Sequence, residues 1–285
     1  MKITIADILF DLNYEAAVEI SEKFRPFIKE QGENIYHIYF SKVKKLPEIS
    51  GTVLMNTLEY QVILTAQGMK KVFHDNTDQG NIYAIATYDR VNRYVQIDYL
   101  QEKEKYFSES GNSFFHVGWE SILMKEGRMV LHAACVNTPC GGLLFSGPSG
   151  IGKSTQADLW CRYNEGFLIN GDRPILCKKN GIWNAYGSPY AGSSNCHIDT
   201  HCQIRAIVFL LQSSECRIKR LDVGQAFRKI YEETTINNWD AQYVSKVCDL
   251  ITELLQDIPV YEMACTPDRQ ATELLKRILI EGEQT

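Results

Sequence analysis

Through residues 1–110 the apolar positions come in short alternating runs. Ile3 and Ile5, spaced by polar neighbours, predict a strand over Lys2 to Leu9, and Ile38 with Phe40, flanked by Tyr36 and Tyr39, predicts another over Ile35 to Phe40. Leu58 to Ala66, Lys71 to His74, Ile82 to Tyr88 and Tyr94 to Leu100 are short and rich in β-branched or aromatic residues. Turn formers separate them: Asp75-Asn76, Gln79-Gly80-Asn81, and Asp89 to Asn92, which reads as a hairpin tip. One short helix is expected over Tyr14 to Phe24, limited by Pro26. Residues 1–110 are therefore predicted to be a small β-rich unit.

From residue 111 the period changes. Phe114, Val117, Ile122 and Leu123 predict a helix over Ser113 to Lys125, ending before Gly127. Met129 to Val136 and Gly142 to Phe145 are apolar strand runs joined by an Asn137 to Gly141 turn, and Phe167 to Ile169 is a short buried strand. Ile175 to Lys178 and Ile182 to Ala185 flank Lys179-Asn180-Gly181 as a hairpin, and Arg205 to Leu211 is the longest uninterrupted apolar strand. Helices are predicted over Ser154 to Tyr163, Gln225 to Tyr231, Tyr243 to Gln256 and Asp268 to Ile280, with a strand at Val260 to Ala264. Strands alternating with helices make residues 111–285 an α/β domain with a mixed, twisted sheet.

Between the Gly142 to Phe145 strand and its helix lies Gly147-Pro148-Ser149-Gly150-Ile151-Gly152-Lys153-Ser154-Thr155. Glycine, four residues, then Gly-Lys-Ser is the spacing of a phosphate-binding P-loop. Backbone N–H groups that turn inward around phosphate oxygens need side chains absent at Gly147, Gly150 and Gly152. Lys153 would carry positive charge to the β/γ-phosphates of ATP, Ser154 would offer a hydroxyl to Mg²⁺, and the following helix would point its N-terminus at the same anion.

Bulk properties narrow the setting. The 285 residues carry a formal net charge of -5, which argues against general nucleic-acid binding. No apolar run reaches the ~18 residues of a membrane span, and Met1 to Asp11 reads as a strand rather than a signal peptide. Nine cysteines, from Cys135 to Cys265 with no Cys-x-x-Cys pair, fit reduced thiols and a cytoplasmic location. Self-association stays open.

Asp172 ends the Phe167 to Ile169 strand region about one helix after the loop, where a carboxylate can reach Mg²⁺ held by Ser154; its alternative is a turn residue before Arg173-Pro174. His132 begins an apolar run and is either packed or set to polarise a nearby carboxylate. Arg173 and Arg205 are equal candidates to touch a phosphate, or are surface charges. Cys196-His197-Ile198-Asp199-Thr200-His201-Cys202 offers soft ligands, yet one continuous segment closes a tetrahedron poorly, and a substrate-facing loop is the preferred reading.

Leu131 to Val136, Gly147 to Thr155 and Leu168 to Asp172 together resemble the HPr kinase/phosphorylase family, particularly its branch containing kinases that tailor peptide natural products. More distantly the layout is similar to ATP-dependent phosphoenolpyruvate carboxykinase. The resemblance covers residues 129–212. It implies an HPr kinase/carboxykinase-like core, with Asp172 and His132 matching a family acid and histidine, and Gly171 standing where the family has a first aspartate. The family's Pro-Gly-Arg-Asn stretch has no counterpart; Gly187 to Gly192 occupies that region.

The expected function is ATP-dependent phosphoryl transfer to a serine- or threonine-type hydroxyl of a peptide or small protein. Asp172, His132 and Lys153 would be catalytic, Gly147 to Thr155 would hold ATP, and Ser154 with Asp172 would hold Mg²⁺. Two alternatives stand beside it: a non-catalytic ATP-binding module of a peptide-modification or regulatory system, and a small-molecule kinase or carboxykinase-like enzyme.

Overall fold

A computed structural model describes residues 1–75, 81–89 and 91–281, so the turn expected at Asn76 to Gly80 and the Arg90 position of the hairpin tip lie outside the described residues. The chain forms two compact units, Met1–Trp119 and Glu120–Thr285. Both mix strands and helices, and the architecture is mixed α/β.

The first unit contains β1 (Lys2–Ile5), β2 (Ile8–Tyr14), β3 (Glu33–Val43), β4 (Thr52–Asn56), β5 (Tyr60–Thr65), β6 (Gly68–Asp75), β7 (Asn81–Asp89), β8 (Tyr94–Leu100) and helix α1 (Ser110–Phe115). Among the described residues the strands join in the order β1-β2-β3-β8-β7-β6-β5-β4. The single strand expected over Lys2 to Leu9 is a hairpin instead, because Ala6 and Asp7 both take positive φ and reverse the chain, pairing Ile5 with Ile8. The helix expected over Tyr14 to Phe24 is not there. Tyr14 still belongs to β2, and only a 3₁₀ turn forms, at Glu22–Phe27, where Pro26 is accommodated. Its Phe24 is buried edge-on against Phe114 of α1, which also meets Phe10. The exposed edge strand β4 has no amphipathic alternation, which is why its pattern did not predict it.

The expected helix over Ser113 to Lys125 proves to be two, α1 of the first unit and α2 (Trp119–Lys125), which starts at the last residue of that unit, with a break at His116 to Gly118. The expected strand Met129 to Val136 is likewise two strands, β9 (Arg128–Val130) and β10 (Ala133–Thr138). Then follow β11 (Gly141–Ser146), α3 (Lys153–Tyr163), β12 (Phe167–Asn170), β13 (Ile175–Lys179), β14 (Ile182–Tyr186), β15 (His201–Gln212), β16 (Arg217–Arg220), α4 (Val223–Glu233), α5 (Ala241–Asp257), β17 (Val260–Cys265) and α6 (Arg269–Glu281).

These strands form one branched mixed sheet. Its path is β12-β10-β11-β15-β14-β13-β9, with β17 added on β15 and β16 on β17. β11, β15 and β17 run parallel, so their carboxyl ends lie together. β15 is long enough to pair with β14 through residues 201–203 and with β11 and β17 further on.

Alternation along the strands supplies two apolar faces. One packs Leu144, Ile207 and Phe209 with Ile230 of α4 and Val247, Ile251 and Leu254 of α5. The other packs Phe145, Val208 and Leu210 with Ala157 and Trp160 of α3 and Leu275 and Leu279 of α6. Each large side chain buried in this way contributes about 1.5–3 kcal/mol. Asp222 and Asp240 start α4 and α5 by accepting from backbone N–H groups of their first turns. Among the described residues no helix is long and apolar enough to cross a membrane.

Candidate functional site

The break between β9 and β10 builds the site. At Leu131-His132 the chain steps from one branch of the sheet to the other, and its backbone is held by neighbours rather than by a continuous ladder. Leu131 N donates to Pro174 O, His132 N to Glu233 O at 2.8 Å, and Ala133 N to Asp172 O at 3.0 Å. The buried Ser146 hydroxyl at the end of β11 donates to His132 O at 2.8 Å.

Asp172 follows β12 in a turn made by Asn170, which is fully buried. The Asn170 Oδ1 accepts from Asp172 N at 2.9 Å and Arg173 N at 2.7 Å, while its Nδ2 donates to Ser188 O and Tyr190 O, each at 3.2 Å. The turn presents the Asp172 carboxylate to His132, with Oδ1 3.3 Å from Nε2. Arg173 lies alongside, Nε 3.5 Å from Asp172 Oδ2, and its Nη1 donates to Thr235 Oγ1. Glu233, the last residue of α4, places Oε2 2.8 Å from His132 Nδ1. One imidazole therefore stands between two carboxylates, all three only partly exposed to water.

Glycine conformations shape the loop after β11. Gly150 and Gly152 have φ of +80° and +111°, and a Cβ at either would meet nothing within 4 Å, so the loop surface is open there. Gly152 stands at the N-cap of α3 and, having no side chain, gives the first-turn N–H groups no capping acceptor. Lys153, 8% exposed, donates from Nζ to Gly147 O at 2.9 Å and Pro148 O at 3.1 Å. Burial lowers its pKa, and the nearby Glu233 and Asp172 charges oppose that shift. An uncapped helix of 11 residues behind an open glycine loop is a cradle suited to an anion.

His132 and Asp172, expected from the sequence, are thus brought together. Lys153 lies within electrostatic reach of Asp172 and Glu233 but bonds to its own loop. Pro148, Ser149, Ser154 and Thr155 are exposed. Ser154 makes no hydrogen bond to Asp172 among the described residues. Arg205 as a phosphate contact is corrected. It lies beside Gly141, at the end of β11 opposite the glycine loop, and its Nη2 donates to Leu279 O.

The Cys196 to Cys202 ligands diverge. Cys196 Sγ donates to Leu168 O, His197 pairs with Asn195, His201 stacks on Tyr186 and Cys202 is buried against Cys135. Among the described residues, no group of three His, Cys, Asp or Glu could hold a metal by itself. Glu233 carried no local motif. It stands 101 residues from its partner, and only the fold joins them.

No family model and no curated protein matches the chain. Among solved structures, the HPr(Ser) kinase/phosphatase from Coxiella burnetii is similar over 54% of this chain and 90% of that one, at 13% identity and a TM-score of 0.33. A likeness that weak leaves the chemistry to be argued from the residues of the site.

Proposed function

We propose that the second unit binds ATP with Mg²⁺ and transfers a phosphoryl group to a hydroxyl, the acceptor being a serine or threonine of a peptide or small protein. The observation that carries this reading is the open glycine loop over the uncapped N-terminus of α3, with Lys153 at its base and the Asp172–His132 pair beside it. Gly147 to Thr155 would hold the polyphosphate, and Ser154 with Asp172 would hold the metal. Bound metal would neutralise phosphate charge. Asp172 takes the proton of the acceptor hydroxyl, and His132 steadies that carboxylate. The preference for a peptide or protein acceptor comes from the sequence resemblance.

Incubation with γ-labelled ATP, Mg²⁺ and peptide pools containing serine and threonine tests the reading. Labelled peptide is expected. Absence of both ATP binding and transfer would overturn it. ATP binding without transfer would favour the non-catalytic module, a reading for which Gly171 in place of the first aspartate of the resembled family speaks.

A further inference from the structure

We infer that Glu233 is a positioning residue of this site, holding the His132 ring so that its Nε2 is presented to Asp172. The inference rests on the phosphotransfer reading for its purpose, while its geometry stands separately.

The attachment is double. Glu233 accepts through its side chain at His132 Nδ1, 2.8 Å away, and through its backbone oxygen from His132 N, also 2.8 Å away. Glu233 itself has little freedom. It ends α4, after which Thr234 turns extended and pairs with Leu131, Thr234 Oγ1 donates to Ile230 O, and Thr235 N donates to Val130 O. Arg173, the residue after Asp172, bonds to Thr235. The end of α4 therefore holds both the histidine and the turn that carries its carboxylate partner.

Tautomer chemistry supplies the consequence. A carboxylate only accepts, so the ring nitrogen facing Glu233 carries a proton. The Nδ1–H is thereby committed, the ring plane is set, and Nε2 is turned toward Asp172, whose carboxylate likewise accepts, so Nε2–H is the donor that contact requires. Without Glu233 the imidazole could flip about its side-chain torsion, and the 3.3 Å approach of Nε2 to Asp172 would be one arrangement among several. A contact between such partly exposed groups adds little to stability, so its value lies in orientation.

The test uses the full chain with ¹⁵N-labelled histidine and the variants Glu233→Ala and Glu233→Gln. In the unaltered protein, the His132 ring should show a protonated Nδ1 protected from exchange. The alanine variant should lose that signal, whereas the glutamine variant, whose amide oxygen still accepts, should keep it. In the transfer assay Glu233→Ala should lower kcat about 10–100-fold with KM for ATP unchanged, by analogy with the range seen when carboxylates orienting metal-ligating histidines are removed. Glu233→Gln should recover most of the loss. An unchanged ring signal in Glu233→Ala overturns the inference, as does a kcat per folded molecule that stays at its original value. If no variant transfers phosphate yet the ring signal is lost in Glu233→Ala and kept in Glu233→Gln, the orientation stands and the kinase reading falls.

Discussion

Ser194 stands where a side chain at Gly171 would have to go: a Cβ at position 171 would lie 2.1 Å from Ser194 Oγ and 2.4 Å from Ser194 Cβ. Ser194 is tethered there by donating to Ala191 O at 2.6 Å, and Cys196 N donates back to its hydroxyl. The segment Gly192–Ser194 thus packs on the turn that presents Asp172, and a Cβ at Gly192 would approach Asp172 Cβ to 2.9 Å.

Restoring an acid beside Asp172 should therefore fail. Gly171→Asp forces this segment away, and overpacking of this kind typically costs about 1–3 kcal/mol. A lowered melting temperature with no gain in phosphoryl transfer is expected from thermal unfolding and rate measurements. A stable, faster variant would show that the segment yields freely.

Lys153→Ala removes the buried ammonium from the base of the glycine loop. A ligand present at a hundred times its Kd stabilises the folded state by about 2.7 kcal/mol. The thermal shift caused by Mg-ATP should be clear in the unaltered protein and largely lost in the variant, while their melting temperatures without nucleotide stay close. Equal shifts would argue against the loop as the phosphate site.

Asp172→Asn preserves shape and removes charge and basicity. General-base contributions are typically ~10²–10⁴-fold, so transfer should drop at least ~100-fold. Because the carboxylate is partly exposed and its turn is built by Asn170, folding should be little affected. The strengthening of ATP binding by Mg²⁺ should shrink. Early melting with normal turnover per folded molecule would reassign Asp172 to structure.

Acid should weaken the first unit through His116. Its ring is buried, Nδ1 donating to Asn112 O and Nε2 accepting from the Tyr83 hydroxyl, and burial pushes its pKa down from 6.5 to about 3. The unfolded chain binds the proton first as pH falls, so this stabilisation is full above pH 6.5 and is lost progressively between there and about 3. At ~1.4 kcal/mol per pH unit, going from pH 7 to pH 5 should remove about 2 kcal/mol. Unfolding curves of the unaltered protein and of His116→Gln at several pH values check this. An equal acid slope in both would place the titration elsewhere.

The glycine loop was legible because its chemistry is local. Gly147, Gly150, Gly152 and Lys153 lie within seven consecutive residues, and backbone turn, helix start and positive charge follow from that spacing alone. The uninterrupted apolar runs Gly142 to Phe145 and Arg205 to Leu211 likewise announced strands, since a short continuous apolar run suits a strand buried on both faces. His132 was readable only as an apolar-run histidine with two fates. Tertiary structure set it between two carboxylates by splitting that run at Leu131-His132, because β9 pairs with β13 while β10 pairs with β11 and β12. Periodicity reports which face a residue takes, not which neighbour its strand joins. Glu233 and Ser194 reach the site by the same route, from a helix end and a loop far along the chain, and long-range packing alone decides such meetings.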